Sequence, residues 1–457
     1  MHNWYDLYCE FGHLCFGLAR AFACAGFLLC FAGLMASAQE WKNWGNDPGG
    51  SRFSELAQIN RTNVGNLRQA WVFHTGEVQP DTRNFAPAHI DQFESTPLVV
   101  DGTMYLSTPS GRVVALDAES GSELWRFDSQ TSRPLFMFRI GLLIIVLAAA
   151  LILLAVPIGR LRFERSARAY TAVGLVLAAA VLIALPSGPF RLPRISHAHR
   201  GVAFWQSSDG SDRRILFGTF EPGMRSRLIE LDARSGKPCA EFGDEGSINL
   251  RTGVADHWPE AIYANTSPPA IYKNLVIIGA EIPERPSVGA SGDIRAFDIY
   301  TGKLVWTFHT IPRPGETGNS DWQGESWKDR TGGNVWSMMS VDTDRGMVFL
   351  PIGSSSPDFY GGDRKGPDLF ANCLVALDAA TGKLIWYYQM VHHDLWDYDL
   401  PAQPVLATVQ RDGREIPAVV QVTKMGLVFI LDRLTGKPLF PVEERPVTAS
   451  DTPGEAA

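Results

Sequence analysis

Cysteine is scarce in this 457-residue chain: six residues, at positions 9, 15, 24, 30, 239 and 373. No two are adjacent, and neither CxxC nor CxxCH occurs, so a paired-cysteine zinc site and covalently attached haem are unsupported. Four of the six fall in an apolar leader within the first 30 residues. Cys239 and Cys373 read as buried small side chains, with a disulfide between them left open. A basic surplus is also missing. The 41 Lys+Arg against 49 Asp+Glu leave a net charge of −8, which argues against the basic patch that meets nucleic-acid phosphates. Disorder and collagen are excluded by a composition 45% hydrophobic and 20% charged.

Turn-forming and aromatic residues are plentiful. The chain has 43 Gly, 29 Pro, 13 Trp, 25 Phe and 11 Tyr, a mixture that favours many short strands over long helices. Apolar residues are concentrated in three runs. The first, 21–38, follows Arg20 and ends in Ala36-Ser37-Ala38, an A-x-A cleavage pattern, so residues 1–38 read as a signal peptide or a retained N-terminal anchor. The second covers 140–159 and the third 169–190, 20 and 22 residues without a charge. As helices, each is long enough to cross about 30 Å of hydrocarbon; the alternative is a pair of buried core helices. The connector carries Arg160, Arg162, Arg165 and Arg168 against Glu164. Such an Arg-rich link marks the cytoplasmic side, which places both flanks outside.

The rest of the chain repeats one pattern, an apolar strand running into A-L-D-x-x-[ST]-G-[KS]-x-x-W. Its five copies are marked by Asp117 and Gly121, Asp232 and Gly236, Asp298 and Gly302, Asp378 and Gly382, and Asp432 and Gly436. Trp125, Trp306 and Trp386 complete three of them. The physical reading is a strand, a tight turn and a return strand. Asp caps the turn, Gly takes a positive φ, and Trp packs between neighbouring sheets. The Asp spacings are 115, 66, 80 and 54. Periods of about 50–80 with four short strands each predict propeller blades. The long first spacing predicts an insertion, 135–191, between early blades. Propeller segments then cover 39–134 and 192–457, with no second soluble domain.

These repeats resemble the pyrroloquinoline quinone (PQQ)-dependent dehydrogenases, most closely the membrane-associated glucose dehydrogenase type. The segments NTSPPAIYKNLVIIGAEIPE, GGNVWSMMSVD, GSSSPDFYGG and VHHDLWDYDLPAQP carry the resemblance. It implies an all-β, eight-bladed propeller holding PQQ and a calcium ion (Ca2+) near its axis. Only about five blade signatures are present, so the chain is expected to be incomplete at its C-terminus, or to need a second polypeptide.

The resemblance also implies site residues. Asp397 matches the catalytic base and a metal ligand. Lys424, 27 residues on, matches the cation beside the quinone carbonyls, and Trp336 the aromatic floor under the ring. Arg200 and Thr266 match groups that hold PQQ carboxylates, and His197 or His199 stands for a histidine near the cofactor. Glu284 and Asp358 match metal ligands; Glu281 competes with Glu284 because GAEIPERP departs from the usual family sequence. Each of these carboxylates could equally be an ordinary surface loop group. The absence of a Cys-Cys pair and of CxxCH favours a glucose-dehydrogenase-like member in the bacterial inner membrane. Its propeller would face the periplasm and its electrons would pass to ubiquinone. A PQQ alcohol dehydrogenase and a non-enzymatic propeller scaffold are the competing readings.

Overall fold

The computed structural model describes residues 40–77, 93–130, 197–221 and 224–455, plus a few isolated positions between 144 and 174. Residues 1–38 and nearly all of 135–191, where the leader and the inserted hairpin were expected, lie outside the described residues. Among the described residues no helix is long and apolar enough to cross a membrane.

The described residues build five antiparallel sheets, each a simple meander. The first holds β1 (Leu98–Val100), β2 (Thr103–Ser107), β3 (Arg112–Asp117) and β4 (Glu123–Asp128). The second holds β5 (Ala203–Gln206), β6 (Arg213–Glu221), β7 (Arg225–Asp232) and β8 (Ser247–Asn249). The third holds β9 (Ala270–Tyr272), β10 (Leu275–Ile278), β11 (Ile294–Asp298) and β12 (Leu304–Phe308). The fourth holds β13 (Ser340–Asp342), β14 (Met347–Ile352), β15 (Cys373–Asp378) and β16 (Leu384–Gln389). The fifth has three strands, β17 (Val405–Arg411), β18 (Arg414–Val422) and β19 (Val428–Asp432). First strands lie side by side, β5 by β9, β9 by β13 and β13 by β17, which makes them the inner strands of a propeller-like array.

Each sheet carries one copy of the repeat, and its Asp ends the third strand. Asp378 shows the turn chemistry. Its Oδ1 accepts the Thr381 N–H at 2.9 Å and the Thr381 hydroxyl at 2.8 Å, while its carbonyl accepts the Gly382 N–H at 2.8 Å. Gly382 has φ 70°, where a Cβ is strained. The core lies in the seams between sheets. Leu98 and Val113 of the first sheet pack with Ile215 and Phe217 of the second. Ile277 and Ile294 of the third pack with Val348 and Leu350 of the fourth. A sheet between two others is apolar on both faces, which is why β14 is buried at every residue. Each fully buried aliphatic side chain contributes about 1.5–3 kcal/mol relative to exposure.

The tryptophans lock the seams. Trp125 donates its indole N–H to Ala233 O (3.0 Å), Trp306 to Ala379 O (3.2 Å) and Trp386 to Arg433 O (2.9 Å). In each case the acceptor follows the repeat Asp of the next sheet. The ring covers that repeat's glycine, so a Cβ on Gly382 or Gly436 would come within 2.6 Å of an indole carbon. Trp71 docks likewise, with its N–H on Ala118 O (3.2 Å) and its ring over Gly121.

The seam from second to third sheet differs. The second copy reads Gly236-Lys237-Pro238, and Pro238 makes only an isolated bridge to Leu231. Proline has no N–H for a ladder, so the return strand starts late, at Ser247. No Trp reaches Gly302, which faces Ile248 and Gly243 instead. Arg214 takes the vacant role: its guanidinium donates to Ile299 O (2.9 Å), the carbonyl after Asp298, and lies 5.0 Å over the Tyr300 ring. It also pairs with Glu230, which is fully buried. The fifth copy has the same Gly436-Lys437-Pro438 ending and the same isolated bridge, Leu431 to Pro438. Cys239 and Cys373 are free thiols, half-buried and buried, so the disulfide left open above is not formed.

Candidate active site

Antiparallel meanders separate the ends of the sheets. The repeat turns lie at one end. The segments before each first strand, and the loops between second and third strands, lie at the other. Every predicted site residue falls in the second group. Residues 197–200 precede β5, and Thr266 precedes β9. Glu281 and Glu284 follow β10, and Trp336 precedes β13. Asp358 follows β14, Asp397 precedes β17, and Lys424 follows β18. This end holds a cavity of about 590 Å³, lined among others by His197, Arg200, Glu284, Trp336, Asp358 and Lys424.

Asp397 sits in a turn with φ 58°, unusual for a non-glycine residue. Asp394 holds that turn from below. The Asp394 carboxylate is buried and accepts the backbone N–H of Trp396 (3.0 Å) and of Tyr398 (2.6 Å). It also accepts the Ser354 hydroxyl (2.7 Å) and the Asn372 amide (3.0 Å). Lys424 Nζ bridges Asp397 Oδ1 (2.7 Å) and Asp399 Oδ2 (3.0 Å).

Glu284, Asp358 and Asp397 each offer a carboxylate oxygen, and the three atoms lie within 4.8 Å of one another. Hard oxygen donors at that spacing suit a divalent cation such as calcium. Burial pushes Asp358 up to about 8, with the negative charges of Glu284, Asp399 and Asp397 adding to it. Burial also raises Asp397, against the opposing hydrogen bond from Lys424. A carboxylate group short of positive charge is what a cation site presents before loading. Lys424 is held above its usual value. Burial pulls it down, but the hydrogen bond to Asp397 and the charge of Asp399 more than offset that.

The adjoining wall, joined to Lys424 where the Trp336 indole N–H donates to Asp399 (3.2 Å), offers the guanidinium and the aromatic ring that suit a flat, polyanionic quinone. Arg200 lies 5.0 Å over the Trp336 ring and donates to the Thr266 hydroxyl at 2.8 Å. Glu94 pairs with the same guanidinium at 3.0 Å. The two histidines and the two glutamates lie in different places. His197 lines the cavity, 3.5 Å from Glu281, whereas His199 is buried with Nε2 on Gly218 O (2.8 Å). Burial lowers His199 to about 4, so it is neutral. Glu281 faces His197, while Glu284 lies in the three-carboxylate group. Asp399 was missed as a site residue; reading alone shows it as a neighbour of Asp397, without the direction of its side chain.

The profile of the PQQ-dependent glucose/ethanol/alcohol dehydrogenase β-propeller domain matches residues 41–138 and 192–457. The chain belongs to that family. Its members are oxidoreductases acting on CH–OH donors, with PQQ and a bound cation as cofactors. The match skips 139–191. The quinate/shikimate dehydrogenase (quinone) of Acinetobacter baylyi is 35% identical over 418 residues, 91% of this chain and 45% of that protein. The quinoprotein glucose dehydrogenase of Escherichia coli is 33% identical over 423 residues, 91% of this chain and 45% of that protein. The chain thus spans about half the length of these relatives. Among solved structures, the quinohemoprotein alcohol dehydrogenase of Comamonas testosteroni superposes with TM-score 0.63 at 25% identity, covering 92% of this chain and 52% of that one.

Proposed function

We propose that the chain forms the cofactor face of a periplasmic PQQ-dependent dehydrogenase that oxidises a sugar, glucose at its anomeric hydroxyl being the leading substrate. The observation that carries this reading is one cavity end where Asp397 meets Lys424 at 2.7 Å and shares a three-carboxylate group with Glu284 and Asp358. When bound, PQQ supplies the carbonyl that accepts the hydride. Asp397 takes the proton of the substrate hydroxyl, as a general base within hydrogen-bond reach. Lys424 sets its positive charge where negative charge develops on the acceptor side. Arg200 and Thr266 hold acceptor carboxylates, Trp336 gives the flat floor, and Glu284, Asp358 and Asp397 hold calcium.

The charge-free runs at 140–159 and 169–190, with their Arg-rich connector, support an inner-membrane hairpin inserted into an eight-bladed propeller. That placement would set the site beside membrane ubiquinone as the electron acceptor. A hydroxy-acid or alcohol substrate is the second reading, favoured by the 35% identity to the quinate/shikimate enzyme.

The test uses the longest polypeptide that the reading frame encodes, supplied with calcium and PQQ. Quinone absorbance and dye reduction should appear with glucose, and quinate, glycerol and ethanol are run beside it. Asp397→Asn should lower turnover by about 10³ with PQQ uptake retained. A protein that takes up no PQQ ends the dehydrogenase reading; uptake with reduction by quinate alone moves the substrate and leaves the enzyme class standing.

A further inference from the structure

Two cavity carboxylates stand outside the metal group, Glu281 beside His197 and Asp399 beside Lys424, and Asp399 is the one tied to Asp397 through a shared partner. Its Oδ1 accepts the Ser354 N–H at 2.6 Å. Its Oδ2 accepts both the Lys424 ammonium at 3.0 Å and the Trp336 indole N–H at 3.2 Å. Both oxygens are therefore committed to donors, and a Cβ on Gly353 would collide with the carboxylate from behind. Asp399 is held by three donors, whereas the Asp397 carboxylate takes the Lys424 ammonium and lies against the Asp399 carboxylate itself.

This sets a competition. Lys424 lies on Asp397 Oδ1, yet Asp397 must also serve the metal group with Glu284 and Asp358. An ammonium held on a carboxylate occupies the lone pairs that a dication needs, and its charge opposes the dication directly. Asp399 offers Lys424 a second carboxylate, at 3.0 Å, that shares the ammonium Asp397 holds at 2.7 Å. We propose that Asp399 is a positioning residue that retains Lys424 and thereby keeps Asp397 open to the metal and to the substrate proton. The idea rests on the metal assignment made above.

The test is calcium binding to the cofactor-free protein, followed by calorimetry, which needs no turnover. Asp399→Asn keeps an oxygen for the Ser354 N–H but gives up the charge that holds Lys424. We expect calcium affinity to fall about tenfold, the scale on which groups behind a ligand act. In the Lys424→Met background the same Asp399→Asn change should alter affinity less than twofold, because the competing ammonium is gone. Equal affinity of parent and Asp399→Asn overturns the inference. So does a tenfold loss that persists in the Lys424→Met background, since that is a direct effect of the Asp399 charge on the ion. A parent protein that binds no calcium removes the metal assignment and the inference with it. Partial unfolding would lower affinity in both backgrounds, so it cannot imitate the expected pattern.

Discussion

Two kinds of seam hold neighbouring sheets together. Between first and second, third and fourth, and fourth and fifth sheets, a tryptophan lays its ring on a glycine and donates to the carbonyl after the repeat Asp. Between second and third, Arg214 donates to the corresponding carbonyl of Ile299 and is neutralised by Glu230 and Asp212. The geometric task is the same: one N–H donor on one carbonyl, with a flat group covering the turn. The energetics differ. An indole gives its area and one hydrogen bond at no electrostatic cost. A guanidinium in the same place must carry a buried carboxylate with it, and such a pair is stable only while complete.

Breaking both seams exposes that difference. Arg214→Met leaves Glu230, which has no exposed surface, without its cation. Removing one member of a buried ion pair costs about 3–5 kcal/mol. Trp306→Ala opens a cavity and frees the Ala379 carbonyl, at about 3 kcal/mol. Urea unfolding should rank the arginine variant below the tryptophan variant at pH 8. At pH 5 the order should invert, because Glu230 can then be folded as the neutral acid, whereas the indole contact does not titrate. An arginine variant that is pH-insensitive would show that Glu230 finds another partner.

The contrast between seams also shows what is legible in the sequence. The Asp, Gly and Trp of the repeat reveal the turn, the strand before it and the docking, because all three act within one turn or between successive copies. Five copies announce five sheets. The Arg214 seam is invisible at that level. Its donor sits on β6, 85 residues from the carbonyl it meets, and no short pattern joins them. Trp71 had a signal: Trp71-Val72-Phe73-His74-Thr75 parallels Trp306-Thr307-Phe308-His309-Thr310, but the segment carries no Asp-Gly turn to mark it. At the other end of the sheets, family motifs point to Asp397 and Lys424 by position and leave Glu284 in competition with Glu281. Asp399 lies two residues from Asp397, and its role depends on which way a loop side chain points. Spacing along the chain does not encode that.

The charged seam should further show itself in the parent protein as a pH slope. Burial, opposed by Arg214, pushes Glu230 up to about 7 from an unfolded value near 4.5. The folded state therefore binds this proton more tightly than the unfolded state. Its contribution is fully present below about pH 4.5 and is lost as pH rises through about 7. The shift corresponds to on the order of 3 kcal/mol across that window. Glu230→Gln should flatten this part of the curve of stability against pH. If the slope survives the substitution, another group titrates in the window and the seam is not its source.

The smallest effect isolates the glycine beneath a docked ring. Gly382 and Gly413 have nearly the same backbone, φ 70° and φ 72°. A Cβ on Gly382 would lie 2.6 Å from carbons of the Trp306 ring; a Cβ on Gly413, in the turn between β17 and β18, would meet nothing within 4 Å. Gly413→Ala should therefore cost only the left-handed backbone term, about 1 kcal/mol. Gly382→Ala adds overpacking against the indole, about 1–2 kcal/mol more. The extra term belongs to the ring, so in a Trp306→Ala background Gly382→Ala should cost no more than Gly413→Ala. A full-sized penalty persisting there would mean that the turn needs glycine for its own backbone, and that Trp306 rests on it without imposing it.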